Sequence, residues 1–314
     1  MLLTGGLGYL GGRLAQSLAS TTNYELTLAT RRHGQASVPT SSARIVSIDW
    51  TSDVALERTC EGMDAVVHLA GMSAADCARD PVAALEFNGL ATARLVRAAA
   101  QQGVARFAYL STAHVYGAAL SGRVDELTCP QPRHSYAVSR LAGEDAVRLV
   151  RAGSAMQGIV MRLSNAFGAP VHLGVDCWSL VTNDLCRQAV STRREVLRSD
   201  GTQHRDFVPM SEACRAIAHL LALPASRLGD GLFNVGGGWA PTMLEMAQLI
   251  AERVAGTCGF HPQVVPGAAR DSIGAVRLEY SVAKLTATGF EVRHDAVIEE
   301  LDRLVAFCAR SPGG

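Results

Sequence analysis

The chain is poor in aromatic residues and carries no surplus of either charge. Aromatics make up 5% of its 314 residues, and Lys plus Arg equal Asp plus Glu at 29 each. The first figure argues against an aromatic-rich binding surface. The second leaves no global basic field to draw nucleic acid or anionic lipid, so any anion has to be held by local groups. The eight cysteines, Cys60, Cys77, Cys129, Cys177, Cys186, Cys214, Cys258 and Cys308, form no CxxC pair and no His/Cys cluster at metal-ligand spacing. No metal site is therefore expected, and the thiols are expected to be reduced and buried. No apolar run approaches the roughly 20 residues that cross a bilayer, and no repeat, low-complexity tract or charged tail is present. Together these absences point to a soluble cytoplasmic protein without nucleic-acid or membrane partners.

What is abundant is aliphatic residues and glycine: 48% of the chain is hydrophobic and 30 residues are glycine. In the first half, apolar runs at 1–4, 25–30, 44–48, 65–69, 106–111 and 158–163 alternate with amphipathic stretches such as 82–102. That alternation predicts a Rossmann-type α/β fold, a doubly wound parallel sheet with crossover helices. The first strand is short for a buried parallel strand, as a start placed too late would leave it. Beyond residue 166 the texture changes, with helices expected over 178–190, 211–223, 242–255 and 295–309. We read residues 1–165 as a dinucleotide-binding domain and 166–314 as a smaller α/β substrate lobe, with a boundary good to about ten residues.

Thr4-Gly5-Gly6-Leu7-Gly8-Tyr9-Leu10-Gly11 lies between the first strand and a helix. Gly5, Gly8 and Gly11 fall where a tight turn, backbone approach to a pyrophosphate and close helix packing each exclude a Cβ. The helix opening at Tyr9 and Leu10 would aim its first amides at the phosphates. The second strand runs into Arg31-Arg32, where an NAD enzyme offers an acidic residue to the adenosine ribose. Two guanidiniums there can fork a 2′-phosphate, which favours NADP(H) over NAD(H); two solvated arginines at a loop start would look the same. Asp49 can accept from the adenine amino group. Leu69-Ala70-Gly71 ends a strand with small residues past which a cofactor can run, and His68 just before them reads as a core histidine.

Thr112 follows the strand 106–111, and Tyr136 opens a helix 24 residues later. A spacing of four puts Arg140 on the same helical face as Tyr136, so the guanidinium can stabilise a phenolate and lower the tyrosine pKa. Thr112 would hydrogen-bond the reacting oxygen. His114, two residues on, is a candidate to face a substrate or to wall its pocket.

At this point the chain resembles the extended short-chain dehydrogenase/reductases, the NAD-dependent epimerase/dehydratase family. The likeness rests on the glycine turn, Val66-Val67-His68-Leu69-Ala70, Asn88 ahead of Gly89 and Thr92, Ser111-Thr112 with Val115-Tyr116-Gly117, Arg162 through Pro170, Arg205-Asp206-Phe207 and Asn234-Val235-Gly236. The resemblance implies hydride exchange between the nicotinamide and a sugar carbon, with Tyr136 as acid/base and Thr112 assisting. It implies that Asn88 serves the cofactor site, that Asn165 contacts a nucleotide-sugar substrate, and that Arg205 holds its diphosphate, with Asp206 orienting the guanidinium and Phe207 packing beneath it. It also implies a homodimer built on helices 82–102 and 135–151. One position departs: the family motif is YxxxK, and here Arg140 stands for the lysine that also bonds the nicotinamide ribose. A guanidinium keeps the charge but does not overlay an ammonium, which leaves a non-catalytic NAD(P)-binding regulator as the alternative reading. Dehydratases of the family carry Asp-Glu directly after the threonine, where this chain has Ala113-His114. Dehydration is not expected, and 4-epimerisation or 4-keto-sugar reduction remains.

Overall fold

Each apolar run of the first half is followed by a segment able to carry the chain back to the start of the sheet, and this dictates parallel pairing. The computed structural model describes residues 1–31, 40, 43–268 and 276–310. The chain divides into two units. One comprises Met1–Ala118, Thr128–Leu163 and Cys214–Asn234; the other comprises Ala119–Leu127, Ser164–Ala213 and Val235–Gly314. Residues 119–127 thus group with the second unit and 214–234 with the first, so that each unit is assembled from three separate stretches of chain.

Among the described residues the central sheet has seven strands, in the order Leu232–Val235, Gln157–Leu163, Arg106–Thr112, Ala65–His68, Leu2–Thr4, Thr27–Thr30, Arg44–Ser47. Parallel register sets Thr4 opposite both Ala29 and His68, and Thr112 opposite Leu163. The strand order reverses between Leu2–Thr4 and Ala65–His68, so the C-terminal ends of these two strands open the crevice in which such sheets bind ligands. Six of the strands lie where the apolar runs place them. The seventh, Leu232–Val235, is a correction, because the sequence reading assigns its whole neighbourhood to the substrate lobe. It is buried at all four positions and joins the sheet edge beside Gln157–Leu163, where Val160 N–H donates to Gly231 O at 2.7 Å.

The core of this unit gathers Leu2, Val66, Phe107, Tyr109, Leu56 and Leu95 between sheet and helices. The expected helix over 82–102 is present but not uniform: Pro81–Ala84 and Thr92–Gln101 are α-helical, while Leu85–Ala91 between them is a π-helix. The widened turn falls where Asn88 is buried and Gly89 packs toward Ala142 on the helix Ser135–Gly153.

The second unit has its own core of Phe167, Leu185, Phe207, Met246, Leu301 and Leu304. Its long helices among the described residues are Val181–Thr192, Met243–Cys258 and Ala296–Arg310. A reciprocal Thr242–Glu245 capping box starts Met243–Cys258, and Gly259 at φ 74° stops it. Short parallel pairs join Asn165–Phe167 to Phe207–Pro209, Arg194–Val196 to Gln263–Val265, and Gly122–Val124 to Leu278–Tyr280. The cysteines are free thiols, and all are buried except Cys258, which is half-buried, and Cys129, which is exposed. No helix among the described residues is long and apolar enough to cross a membrane, and none of their His, Cys, Asp and Glu side chains group as a metal site.

Candidate active site

The turn after Leu2–Thr4 is built so that no side chain can fill it. Gly5 has φ 71°, and a Cβ on it would lie 2.8 Å from the amide of Ala70; a Cβ on Gly11 would overlap Gly5 O. Gly8 N–H closes the turn onto Gly5 O at 2.9 Å. The helix Tyr9–Thr21 then begins with no side-chain cap and no acidic residue in its first turn. With no carboxylate of its own there, the positive end of the helix dipole suits an anionic phosphate. Tyr9 is half-buried and Leu10 buried at this entry.

Across the crevice, Leu69 N–H bonds Thr4 O at 3.2 Å and Ala70 N–H reaches Thr4 Oγ at 3.4 Å, so Leu69, Ala70 and Gly71 lie directly beside the glycine turn. His68 is fully engaged beneath them. The Thr92 hydroxyl donates to Asn88 O, so it accepts from His68 Nε2, and His68 Nδ1 accepts from Thr4 Oγ at 2.6 Å. Burial, reinforced by the nearby Arg140 charge, pushes this imidazole down to about 3. It is a neutral core residue. Asn88 is also engaged within the protein: its carbonyl accepts from Met72 N–H at 2.9 Å and its amide donates to Ser139 Oγ at 2.9 Å. It ties the loop after Ala65–His68 to the helix Ser135–Gly153. On the adenosine side, the Arg31 guanidinium lies 4.8 Å over the Phe87 ring, and the exposed Asp49 carboxylate accepts from Thr51 N–H and hydroxyl, which lowers its pKa. Arg32 lies outside the described residues.

Thr112 ends its strand and caps the short 3-10 turn Ala113–Tyr116, accepting from His114 N–H at 3.2 Å. The helix Ser135–Gly153 carries Tyr136, half-buried, and Arg140, 6% exposed. The Arg140 guanidinium lies 5.3 Å from the Tyr136 ring centre. Its Nη1 donates to Leu110 O at 3.3 Å and Ala70 O at 3.5 Å, while its buried Nε finds no partner among the described residues. Burial weighs against the charge, but the phenol oxygens of Tyr136 and Tyr109 outweigh it and hold the guanidinium above the usual arginine range.

Two features escape the sequence reading. His134 caps the helix by accepting from Ala137 N–H through Nδ1 at 3.2 Å; its ring stacks with Tyr136 at 6.2 Å and meets His114 edge-on at 5.4 Å. These rings join the turn bearing Thr112 to the helix bearing Tyr136. A polar residue just before a helix is the signal that could have found it. The other feature lies under the site, where Glu144 accepts from Ser111 Oγ and from Arg162 Nε and Nη2, the last at 2.7 Å. Glu144 sits one turn beyond Arg140, a helical spacing that was legible.

In the second unit, Asn165 Nδ2 donates to Asp206 O at 2.8 Å, which sets Asn165 beside the segment that bears Arg205. The expected Arg205–Asp206 ion pair is absent among the described residues. Asp206 is buried and accepts from Gly237 N–H at 2.9 Å and Trp239 N–H at 3.2 Å, and burial pushes its carboxyl up to about 6. Backbone donors have taken the role assigned to the arginine. Arg205 is half-buried, with its pKa lowered by burial and no carboxylate on it among the described residues.

The family model described as NAD-dependent epimerase/dehydratase matches residues 1–236. A UDP-glucose 4-epimerase of Azospirillum brasilense is 28% identical over 86% of this chain and 84% of its own length. A dTDP-glucose 4,6-dehydratase of Actinoplanes is 30% identical over 80% and 81%, and a dTDP-6-deoxy-L-talose 4-dehydrogenase (NAD(P)+) of Kitasatospora kifunensis is 32% identical over 79% and 77%. The solved structure of MoeE5 in complex with UDP-glucose and NAD superposes with a TM-score of 0.81 at 27% identity, covering 99% of this chain and 98% of that one.

Proposed function

Since the chain belongs to the NAD-dependent epimerase/dehydratase family, we propose that it moves hydride at C4 of a nucleotide-activated sugar, as a 4-epimerase or 4-keto-sugar reductase, with NADP(H) favoured over NAD(H). The observation that carries this reading is the buried Arg140 guanidinium, 5.3 Å from the Tyr136 ring centre and set against Gly71 in the crevice. A cation so placed favours the phenolate form of the tyrosine.

The glycine turn and the first amides of Tyr9–Thr21 fit a pyrophosphate, because each Cβ that would fill the cradle is missing. The nicotinamide, when bound, supplies or takes the hydride. Tyr136 passes a proton to or from the sugar oxygen, Arg140 steadies the charge left on the phenol oxygen, and Thr112 donates to the same sugar oxygen. Asp49 and Arg31 serve the adenosine end, and the lack of a carboxylate after Thr27–Thr30 favours the 2′-phosphate. We assign His114 and Asn165 to the sugar and Arg205 to the diphosphate, which a guanidinium without a carboxylate is suited to hold. Ala113 and His114 stand where elimination of water would call for carboxylates, which disfavours dehydration although a dehydratase is among the relatives. Exposed Val82, Leu85, Leu90 and Val138 on the helices around 82–102 and 135–151 support a homodimer there.

The test is a fluorescence titration with NADPH and NADH, followed by proton NMR of UDP-, GDP-, dTDP- and CDP-sugars and their 4-keto forms after incubation. Inversion or reduction at C4 is the expected result. Tight cofactor binding with every sugar unchanged would favour the regulator instead.

A further inference from the structure

We propose that Gly71 is a positioning residue whose missing side chain makes room for arginine at position 140, so that the two residues act as one size-matched unit. The inference rests on the reading of Tyr136 and Arg140 as the acid–base pair and adds a residue that controls it. A Cβ built on Gly71 would overlap the Arg140 Nη2 and Cζ atoms and stand 2.8 Å from Nη1. Gly71 has no positive φ to explain a glycine. The reason lies in what it faces.

The loop cannot retreat to relieve such an overlap. On one side of Gly71, the amides of Leu69 and Ala70 are tied to Thr4; on the other, Met72 N–H is held by Asn88 Oδ1 at 2.9 Å. Asn88 in turn bonds Ser139, the neighbour of Arg140, so loop and helix are fixed to each other by one buried amide. The guanidinium is the end of a flexible chain, and it would be the part that moves. Around it stand Ala70 O, Leu110 O and the Tyr136 ring, and only 6% of the residue is exposed. A methyl at position 71 would therefore leave the fold intact and displace the charge from Tyr136 and from the cofactor crevice. Lysine has a smaller head, so Gly71→Ala should be tolerated once Arg140→Lys is in place.

The experiment is a double-mutant cycle of Gly71→Ala and Arg140→Lys, read by NADPH dissociation constant, by turnover, and by a crystal structure of unliganded Gly71→Ala. Gly71→Ala alone should weaken NADPH and slow turnover by about tenfold or more, with the guanidinium shifted and the melting temperature nearly unchanged, whereas in the Arg140→Lys background it should cost about twofold or less. An equal loss in both backgrounds, or a guanidinium unmoved in the Gly71→Ala crystal, would overturn the pairing. The cofactor constant tests the pairing even if no sugar is turned over. If the pairing holds while Tyr136→Phe leaves turnover unchanged, the acid–base reading fails and the size match stands.

Discussion

Among the described residues of the sheet unit two arginines are buried, and they are treated in opposite ways. Arg162, 1% exposed, gives its Nε and Nη2 to Glu144 and lies 4.6 Å over the Tyr116 ring. Arg140, 6% exposed, meets two carbonyls at long range with a tyrosine ring beside it, and no carboxylate pairs with it among the described residues. A buried charge answered by a carboxylate belongs to the architecture. A buried charge answered by carbonyls and a phenol ring alone keeps the capacity to act on a bound molecule, the role proposed for Arg140. The contrast separates two roles that composition alone would merge.

The contrast is broken most forcefully at Glu144. Glu144→Gln leaves Arg162 without its counter-charge inside the protein, and urea unfolding should show a loss of roughly 3–5 kcal/mol. A loss below about 1 kcal/mol would mean that Arg162 does not depend on its pair. Removing the group that faces the other arginine should act on chemistry and leave the fold alone. Tyr136→Phe is expected to lower turnover by about 10²–10⁴-fold at an unchanged melting temperature, measured by steady-state kinetics and calorimetry.

A buried carboxyl extends the comparison to the second unit. Both Glu195 oxygens lack partners among the described residues, and burial pushes this carboxyl up to about 8 from 4.5. The folded chain therefore holds a proton that the unfolded chain releases. That stability is fully present below pH 4.5 and is lost as pH rises through about 8. Glu195→Gln should flatten the fall in melting temperature across this window and raise it at pH 8. A parallel pH profile in the variant would assign the dependence elsewhere. A small effect on stability is expected at Arg140: Arg140→Met should change unfolding free energy by about 1 kcal/mol or less, because it strands no carboxylate, while NADPH binding weakens. A large destabilisation there would make the two arginines alike.

Much of the sheet was legible because its strands are local apolar runs and its ligand turn is local glycine chemistry. Gly5, Gly8 and Gly11 announce their backbone requirement within seven residues, and Tyr136 and Arg140 announce a shared face by helical spacing. What stayed hidden depends on returns from far along the chain. Leu232–Val235 joins the sheet after a long excursion, and its Asn234 gives no sign that it accepts from the Tyr116 hydroxyl at 2.7 Å. The capture of Asp206 by Gly237 and Trp239 needs a segment some thirty residues away, and adjacency in sequence suggested Arg205 instead. Gly71 reads as a small strand-end residue until the guanidinium is seen against it.

The measurement that tests the account most directly is absorbance at 340 nm, recorded when 4-keto and reduced forms of UDP-, GDP-, dTDP- and CDP-sugars are added to the protein with NADPH or NADP+, beside Tyr136→Phe as control. The account predicts cofactor turnover, or C4 inversion by NMR without it, for at least one nucleotide sugar, and its loss in the control. Saturable cofactor binding with no absorbance change and no altered sugar across the panel, or equal rates in both proteins, would contradict it.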